Sequence, residues 1–340
     1  MHRSRRLSER LAELDEQGLR RGLRALTPTG PTTALLDGRA VDVFSSNDTL
    51  GLAWELREHW QGGGVGSSRL ISGDRPAHRA LEAALQARYG QRALLFSSGY
   101  QANLALISTL FEEGQIVGSD ASNHASLIDG LRLSPAGKVV VPHLKAPPAR
   151  VDGYVFEALY SMDGDRGLPH RPSDECWLVC DAAHSVGTGL VPDHDVLVGT
   201  LGKAFGAAGA FVCGPDDLIE LLISRGRSFV YTTGLAEPAA VAALEGLSRA
   251  TPERAELLRD RVARFRAGLP SAPGQDHIVP VILGEATMRA ASALLDRGIY
   301  VPGIRWPTVP RGQERLRFSL SAAHTDAQID RALDALAPLL

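Results

Sequence analysis

The sequence is poor in cysteine and in lysine, and each shortage limits what the chain can be. It has 3 cysteines, none of them in a CxxC pair. An odd number without such spacing excludes a disulfide framework and a zinc ribbon, and it is typical of proteins from a reducing compartment. Lysine occurs only at positions 138, 145 and 203, so nearly all positive charge is arginine. A lysine with a chemical role is therefore easy to locate.

Long apolar runs and an excess of one charge are also missing. No run reaches the roughly 20 residues that span a membrane, and no signal-peptide core follows the N-terminus. The net charge of -3 gives no general attraction to nucleic acid or to anionic membranes. We therefore expect a cytoplasmic protein without nucleic-acid or membrane partners. The composition, 44% hydrophobic and 22% charged, is that of a globular protein.

Short apolar segments alternate with helical stretches in the middle of the chain. Seven segments have the length and residue types of strands: 93–96, 116–118, 138–142, 154–158, 177–180, 196–199 and 210–213. This alternation predicts an α/β domain in which helices flank a mostly parallel seven-stranded sheet.

The first ninety residues have a different pattern. Leucines between positions 7 and 26 approximate helical spacing, so the chain is expected to open with a helix, followed by a turn-rich stretch. A second helix is predicted near 76–89, with Asp74 as its cap and Gly90 as its stop.

The last hundred residues predict a smaller α+β unit. The expected elements are a helix around 236–269, a strand at 278–282, a helix at 286–297, a strand at 315–320 and a final helix. Thr325 and Gln328 form a capping box for that final helix. We therefore predict an N-terminal helix and arm (1–45), a large domain (46–235) and a small C-terminal domain (236–340).

Lys203 stands in the segment TLGKAFG, directly after the predicted strand DVLVG. Glycines at 199, 202 and 206 let the backbone approach a bulky ligand closely. The segment does not fit the P-loop pattern GxxxxGK[ST], because Leu197 occupies the first glycine position and Ala204 follows the lysine. Its local sequence fits either a functional lysine or a lysine in a surface loop.

Asp181 and His184 follow a predicted strand at the edge where open α/β sheets bind ligands. An aspartate there could keep a pyridinium nitrogen protonated, although aspartate is also a favoured helix cap. Ser98, Gly99 and Tyr100 open a helix after the strand at 93–96. Such a helix start fits either a phosphate site or a plain turn.

His124, in SNHASL, has no metal-ligand partner at useful spacing. No metal site is predicted, and taken alone this histidine is interpreted as structural.

Seven segments occur in an order that resembles the α-oxoamine synthase family. They are GSSRLISGDRPAHRALE, FSSGYQAN, SNHASL, YSMDGD, CDAAHS, TLGKAFG and RLRFSLSAAHT, and the resemblance extends from about residue 40 to the C-terminus. Members of this family are fold-type I pyridoxal-phosphate enzymes that condense an amino acid with an acyl thioester and release carbon dioxide. The resemblance implies that fold, pyridoxal 5'-phosphate as cofactor, and a homodimer with shared active sites.

The resemblance also implies roles for individual residues. The catalytic set comprises the Schiff-base lysine, the histidine stacked on the ring, the partner of the ring nitrogen and the histidine near the phenolic oxygen: Lys203, His124, Asp181 and His184. Further cofactor contacts are implied for Ser98, Gly99, Tyr100, Ser161, Thr200, Thr232 and Thr233, of which the last two would reach the neighbouring subunit's phosphate. Substrate contacts are implied for Arg21 (or Arg20), Asn47, Arg305, Thr308 and Arg317. Arg317 resembles the anchor for the amino-acid carboxylate, which suits a planar bidentate donor.

Within the family, SSNDTLGLA and GIRWPTVPRGQERLRF are most similar to the biotin-pathway members. Those members use L-alanine and a pimeloyl thioester, carried by coenzyme A or by a carrier protein. Two alternatives stay open: a sister activity such as glycine C-acetyltransferase, and a catalytically silent partner subunit, although silent subunits tend to lose the lysine. A nucleotide-binding module is disfavoured because G-x-G-x-x-G is absent.

The sequence departs from the family pattern at several places. Ala182 stands where an acidic residue is usual, and Thr49 stands where tyrosine is common. The stretches 143–153, 164–175 and 185–195 look shorter than in relatives. These differences leave the predicted chemistry in place but bear on the choice of acyl substrate.

Overall fold

The computed structural model describes residues 2–340, so Met1, the first residue of the predicted N-terminal segment, lies outside the described residues. The predicted opening helix is present as α1 (His2–Glu16), but it is shorter than the leucine spacing up to position 26 suggested. It ends before Gly18, whose φ of 64° leaves the helical path, and Leu26 already belongs to a strand. Three short strands follow in the stretch that was predicted only as turns: β1 (Leu26–Pro28), β2 (Thr33–Leu36) and β3 (Arg39–Val43). The β2–β3 hairpin turns at Asp37-Gly38, where both residues have positive φ.

The predicted seven-stranded sheet is confirmed, and each strand lies within two residues of its expected bounds. Its strands are β4 (Arg92–Phe96), β5 (Ile116–Asp120), β6 (Gly137–Val141), β7 (Gly153–Glu157), β8 (Trp177–Asp181), β9 (Val196–Thr200) and β10 (Ala210–Gly214). They are ordered β4-β10-β9-β8-β7-β5-β6. Only β10 runs antiparallel to its neighbours. The sheet is therefore mostly parallel.

Helices cover both faces of this sheet. Those from the same part of the chain are α2 (Ala53–Leu56), α3 (Pro76–Tyr89), α4 (Gly99–Leu110), α5 (Ala125–Leu133), α6 (Asp216–Arg225) and α7 (Arg227–Val230). Successive strand residues point to opposite faces, so Val179 packs in the cluster with α4 to α7, whereas Leu178 and Cys180 pack in the larger cluster with α3.

The start of α3 differs from the prediction. Asp74 does not cap the helix, because its carboxylate accepts hydrogen bonds from Arg69 and Arg79. The cap residue is Arg75, whose backbone N–H donates to Nδ1 of His78 at 3.0 Å. Gly90 ends the helix in the left-handed conformation, as predicted.

The C-terminal elements also correct one prediction. Residues 236–269 form two helices, because Pro252 has no N–H to donate and disfavours a helical Thr251. The elements are α8 (Glu237–Arg249), α9 (Pro252–Ala267), β11 (Ile278–Ile282), α10 (Thr287–Asp296), β12 (Ile299–Tyr300), β13 (Gly303–Ile304), β14 (Arg315–Ser319) and α11 (Asp326–Leu336). The Thr325–Gln328 capping box of α11 is confirmed.

Two smaller sheets complete the fold, and one of them joins the two ends of the chain. One has the order β11-β14-β13, and the other has the order β1-β2-β3-β12. In the second sheet β12 is parallel to β3, so the N-terminal and C-terminal segments share it. The predicted domain bounds at 45/46 and 235/236 stay a prediction. Among residues 2–340, no helix combines the length and apolarity that a membrane crossing requires.

Candidate active site

Four strands of the large sheet end in polar residues at one edge. These residues are Asp120 on β5, Glu157 on β7, Asp181 on β8 and Thr200 on β9. The strands are parallel, so their carboxyl ends meet where α/β sheets bind ligands. β7 and β8 pair with Glu157 directly opposite Asp181. The sheet thus places two carboxyl groups side by side.

Lys203 reaches this edge from the turn that follows β9. Its Nζ lies 2.8 Å from Nε2 of His184. Burial lowers the pKa of Lys203 to about 8, while Asp181 and Glu157 raise it and Arg317 lowers it further. Burial, followed by Lys203, also holds the pKa of His184 well below its usual range. The lysine is therefore partly neutral near physiological pH and its histidine partner is neutral.

Gly206 makes the Lys203 turn possible. It has a φ of 63°, and a Cβ added there would lie 2.5 Å from the backbone nitrogen of Ala53. A side chain at this position would push the turn away from the start of α2. The TLGKAFG glycine pattern therefore has a local packing reason as well as a functional interpretation.

Asp181 is buried and held by two N–H donors. Asn103 donates from Nδ2 at 2.7 Å, and the backbone N–H of Ala183 donates at 2.9 Å. Residues 183–189 form turns, so Asp181 does not cap a helix. The helix-cap interpretation of this aspartate is therefore wrong, and its carboxylate faces the same region as the Lys203 amine, whose pKa it affects.

His124 is exposed at the start of α5 and is fixed on two sides. Its Nδ1 lies 2.8 Å from the hydroxyl of Ser126, and its backbone N–H donates to Glu157 at 2.5 Å. The ring of Tyr100 meets it edge to face, with centroids 6.3 Å apart. One face of the imidazole can therefore receive a flat ligand while the ring stays oriented.

The N-terminus of α4 lies beside this group. The hydroxyl of Ser98 accepts the N–H of Gln101 at 3.3 Å, and a Cβ added at Gly99 would meet nothing within 4 Å. The remaining first-turn N–H groups and the helix dipole suit a phosphate. The hydroxyl of Tyr100 instead donates to the carboxylate of Asp129.

Three threonines predicted near the phosphate lie in two segments. Thr200 donates to the carbonyl of Gly209 at 3.2 Å, at the end of β9. Thr232 and Thr233 lie between α7 and α8, and the carbonyl of Thr233 accepts the Ser97 hydroxyl at 3.4 Å. Within one chain, this segment therefore lies next to the start of α4.

Arg317 on β14 is buried, and its hydrogen bonds within residues 2–340 go to neutral acceptors only. It donates to the carbonyl of Ser161, to the Ser319 hydroxyl at 2.8 Å and to the side-chain oxygen of Asn47 at 3.3 Å. Burial lowers its pKa to about 10, so it stays charged at neutral pH. Its charge is close enough to lower the pKa of Lys203.

The other predicted substrate residues form a separate group. Nη2 of Arg21 lies 3.5 Å from the Thr308 hydroxyl, and Arg305 donates to the carbonyl of Arg20 at 3.2 Å. These contacts join the N-terminal arm to the loop after β13. Among the hydrogen bonds of the described residues, none connects this group to Lys203.

Two residues near Asp181 and His124, Asn103 and Glu157, were not predicted from the sequence. Asn103 donates both to Asp181 and to Ser126 at 2.9 Å, and Glu157 accepts the N–H of His124. The available signals were a polar residue inside the apolar helix ANLALI and a glutamate at the end of the buried strand GYVFE. Each signal is weak alone, because one polar residue in a core segment has many explanations.

The residues at this edge fit pyridoxal phosphate. They supply a lysine amine of lowered pKa, a buried carboxylate, a helix N-terminus and a histidine face. Two polar atoms in the group, Nδ1 of His184 and Oδ1 of Asn103, are buried without a hydrogen-bond partner among the described residues. Buried polar atoms of this kind are usually satisfied by a ligand or by water.

Comparisons with known proteins show the family to which the chain belongs. Residues 43–163 and 172–336 match the family model of aminotransferase class I and II. The chain is 42% identical over 381 aligned positions to a putative 8-amino-7-oxononanoate synthase from Desulforudis audaxviator, covering 98% of both chains. It is 43% identical over 381 positions to the 8-amino-7-oxononanoate synthase from Halorhodospira halophila, covering 98% of this chain and 94% of the relative.

Solved structures give the same result. A serine palmitoyltransferase from Sphingomonas wittichii has a TM-score of 0.88 at 28% identity, covering 98% of this chain and 96% of the other. The 8-amino-7-oxononanoate synthase from Francisella tularensis has a TM-score of 0.73 at 26% identity, covering 88% and 97%. A variant serine palmitoyltransferase from S. paucimobilis, with a TM-score of 0.86 at 27% identity over 98% of this chain and 97% of the other, was solved with a bound pyridoxal phosphate–myriocin aldimine.

The family model, the named relatives and the fold identify a pyridoxal-phosphate-dependent acyltransferase of fold type I. The chain therefore belongs to the aminotransferase class I and II family and, within it, to the α-oxoamine synthases, where it is most similar to 8-amino-7-oxononanoate synthase.

Proposed function

We propose that this enzyme condenses L-alanine with a pimeloyl thioester to give 8-amino-7-oxononanoate, carbon dioxide and a free thiol, a step of biotin biosynthesis. The observation that carries the proposal is the buried Arg317, which donates only to neutral oxygens among the described residues and is close enough to lower the pKa of Lys203. An amino acid has a carboxylate that suits the Arg317 guanidinium and an amine that can lie next to Lys203. The names of the relatives support alanine and the pimeloyl chain.

Lys203 is proposed as the residue that holds the cofactor and then moves the α-proton of the amino acid at its Nζ. A general base must be unprotonated to accept a proton, and burial brings the pKa of this amine to about 8. When bound, pyridoxal phosphate supplies an electron sink for the charge that develops on the α-carbon.

Three side chains are proposed to orient the cofactor ring. His124 would stack on one face, since its imidazole is exposed but held by Ser126 and Glu157. Asp181 would face the ring nitrogen and hold its proton, because Asn103 fixes the carboxylate from the other side. His184 would hydrogen-bond the phenolic oxygen from the nitrogen that now faces Lys203.

The phosphate is proposed to bind at the N-terminus of α4. Backbone N–H groups at Ser98, Gly99 and Tyr100 would receive it, and the Thr200 hydroxyl would donate to it in place of the Gly209 carbonyl. Ser161 would contact the cofactor near its phenolic oxygen. It lies beside Arg317, which donates to its carbonyl, so one turn would serve both cofactor and substrate.

The acyl donor is proposed to approach along the N-terminal arm. Arg21, Arg305 and Thr308 meet there and present guanidinium and hydroxyl groups near the loop after β13. Asn47 would serve the amino-acid side of the site, because its side chain accepts from Arg317. Both coenzyme A and a phosphopantetheine carrier are anionic and suit such a surface.

A homodimer with shared sites is proposed as the working form. Helix α1 exposes Leu7, Leu11 and Leu14, which share one face of the helix at spacings of four and three residues. Thr232 and Thr233 lie on a partly exposed segment, next to the strongly exposed Tyr231, from which they could reach the partner's phosphate. An exposed apolar stripe of this kind fits a second copy of the chain.

The test is thiol release by the cofactor-loaded enzyme with four substrate pairs. L-Alanine is supplied with pimeloyl-coenzyme A and with pimeloyl-carrier protein, L-serine with palmitoyl-coenzyme A, and glycine with acetyl-coenzyme A. We expect release with either alanine pair, the mass of 8-amino-7-oxononanoate, and no release by Lys203→Ala. Activity confined to the serine or glycine pair would replace the proposed substrates with those of a sister enzyme. The serine arm is included because serine palmitoyltransferases are close structural neighbours.

A further inference from the structure

Glu157 is a buried carboxyl group in the site for which the mechanism above has no chemical role. It ends β7, is 4% exposed and pairs in register with Asp181 on the next strand. Its Oε1 accepts the backbone N–H of His124 at 2.5 Å. An ionised carboxylate in such a position is costly to bury unless it is paired and hydrogen-bonded, and otherwise it takes up a proton.

Glu157 belongs to a ring of contacts that includes two of the proposed cofactor contacts, His124 and Asp181. From Glu157 the ring passes to His124, then to Ser126 at 2.8 Å, to Asn103 at 2.9 Å and to Asp181 at 2.7 Å. Asp181 then lies opposite Glu157 across the β7–β8 pair, which completes the ring. Moving Glu157 would therefore disturb the histidine on one side and the aspartate on the other.

The charges around Glu157 decide its protonation state. The groups that act on it come from several elements: Asp181 on β8, Asp120 on β5, Lys203 after β9 and the backbone of His124 before α5. Burial first and Asp181 second raise the pKa of Glu157 well above its usual range. Two adjacent buried carboxyl groups do not both ionise readily, so one of them keeps a proton. Asp181 has two N–H donors to stabilise its charge, whereas Glu157 has one.

We propose that Glu157 is a positioning residue which, as the neutral acid, holds the backbone of His124 and leaves Asp181 as the single negative charge facing the cofactor ring nitrogen. The proposal rests on the cofactor placement proposed above. Under this proposal Glu157 does not touch the cofactor, but it sets the geometry of His124 and the charge of Asp181.

The test compares Glu157→Gln with Glu157→Ala in full-length protein, by titrating apoenzyme with pyridoxal phosphate. Glutamine is neutral and keeps an oxygen for the His124 N–H, so we expect cofactor Kd within about threefold of wild type. The pH midpoint of the bound cofactor's absorbance should also move by less than about half a unit. Alanine leaves the His124 N–H without its acceptor, so cofactor Kd should rise at least about fivefold, with an altered circular-dichroism band of the cofactor.

Two further variants keep the result interpretable. Glu314→Gln changes a partly buried carboxyl group outside the site and should leave Kd and spectrum unchanged. If Glu157→Ala does not fold, Glu157→Asp serves instead, because the shorter side chain withdraws from His124. A merely structural Glu157 would lower thermal stability in the alanine variant while its cofactor Kd and dichroism stayed as in wild type, and this overturns the proposal.

A glutamine variant whose absorbance midpoint moves by about one unit or more would also overturn it, since Glu157 would then act through its negative charge. The titration uses neither amino acid nor thioester. Its outcome is therefore independent of whether alanine and the pimeloyl chain are the substrates.

Discussion

Arg315 and Arg317 lie two residues apart on β14 and point to the same side, yet they differ in charge compensation. Arg315 is paired with Asp163 at 2.5 Å. Arg317 donates only to neutral oxygens of Ser161, Asn47 and Ser319 among the described residues. A buried guanidinium without a counter-ion is costly and favours a carboxylate ligand. This difference is the residue-scale basis for placing the amino-acid carboxylate at Arg317.

Replacing Arg317 by lysine should therefore weaken substrate binding specifically. Lysine keeps the charge but loses the planar pair of donors, so we expect KM for the amino acid to rise at least about tenfold, which is about 1.4 kcal/mol. Steady-state kinetics at varied amino acid, with saturating thioester, measures it. Arg315→Lys is the matched control, and it should lower Tm while leaving KM for the amino acid nearly unchanged. An unchanged KM in Arg317→Lys would rule out the carboxylate anchor.

Lys203 gives a second residue-scale prediction, which concerns pH. Attachment of the cofactor to the apoenzyme requires the neutral amine, and the neutral fraction grows as pH rises through the pKa. Because burial lowers that pKa from 10.5 to about 8, the attachment rate should rise from pH 6.5 and level off above about pH 8.5. Stopped-flow absorbance at saturating cofactor measures this rate. A rate still rising tenfold per pH unit between 9 and 10 would show that the pKa of Lys203 is that of an ordinary lysine.

The candidate site was partly predictable at this scale for a physical reason. Lys203, Asp181 and His184 sit in glycine-rich or strand-end segments, where function constrains the local sequence. Asn103 and Glu157 act through contacts between residues distant in the chain, Asn103 with Asp181 and Glu157 with His124. Such contacts exist only after the sheet has assembled, so no local pattern reveals them.

Helix α11 carries a prediction at the scale of one element. The Thr325 hydroxyl accepts the N–H of Gln328 at 3.3 Å, and Thr325→Ala removes this cap at a cost of about 1 kcal/mol. We expect Tm to fall by about 2 °C without a change in KM. Thr251→Ala is the control, because Thr251 precedes α9 without a side-chain cap hydrogen bond. Equal losses in both variants would contradict the capping role.

Other elements show which features of the fold sequence periodicity does not predict. The seven central strands are buried apolar runs with clear ends, and they were predicted closely. The edge strand β12 has only two residues and is defined by pairing with β3, which is about 250 residues away in the chain. The break between α8 and α9 was visible as Pro252, but leucine and alanine periodicity continues across it. Long-range pairing and local breakers were thus the features that periodicity missed.

At the scale of the whole molecule, the apolar face of α1 predicts a dimer. Sedimentation equilibrium should give twice the chain mass of 36.3 kDa. The double variant Leu7→Glu and Leu11→Glu should weaken association at least about tenfold by placing charges in the covered face. Glu16→Lys, on the opposite side of α1, should leave it intact. A fully active species of one chain mass at micromolar concentration would contradict the shared site.

The whole chain has fewer residues over the aligned region than its relatives. The alignments extend over 381 positions although the chain has 340 residues, so relatives have additional residues opposite gaps. The family match is interrupted between residues 163 and 172, inside one of the stretches predicted to be short. The site itself combines residues of β7, β8 and the turn after β9 with the starts of α4 and α5 and with Arg317 on β14.

The central claim is that the cofactor is carried by Lys203, and the rarity of lysine makes it directly measurable. Borohydride reduction of the cofactor-loaded enzyme fixes the cofactor covalently, and peptide mass spectrometry then locates it among lysines 138, 145 and 203. The account predicts one reduced cofactor per chain, on the peptide that contains Lys203. Labelling at Lys138 or Lys145 with none at Lys203, or no covalent label in a loaded and active enzyme, would contradict it.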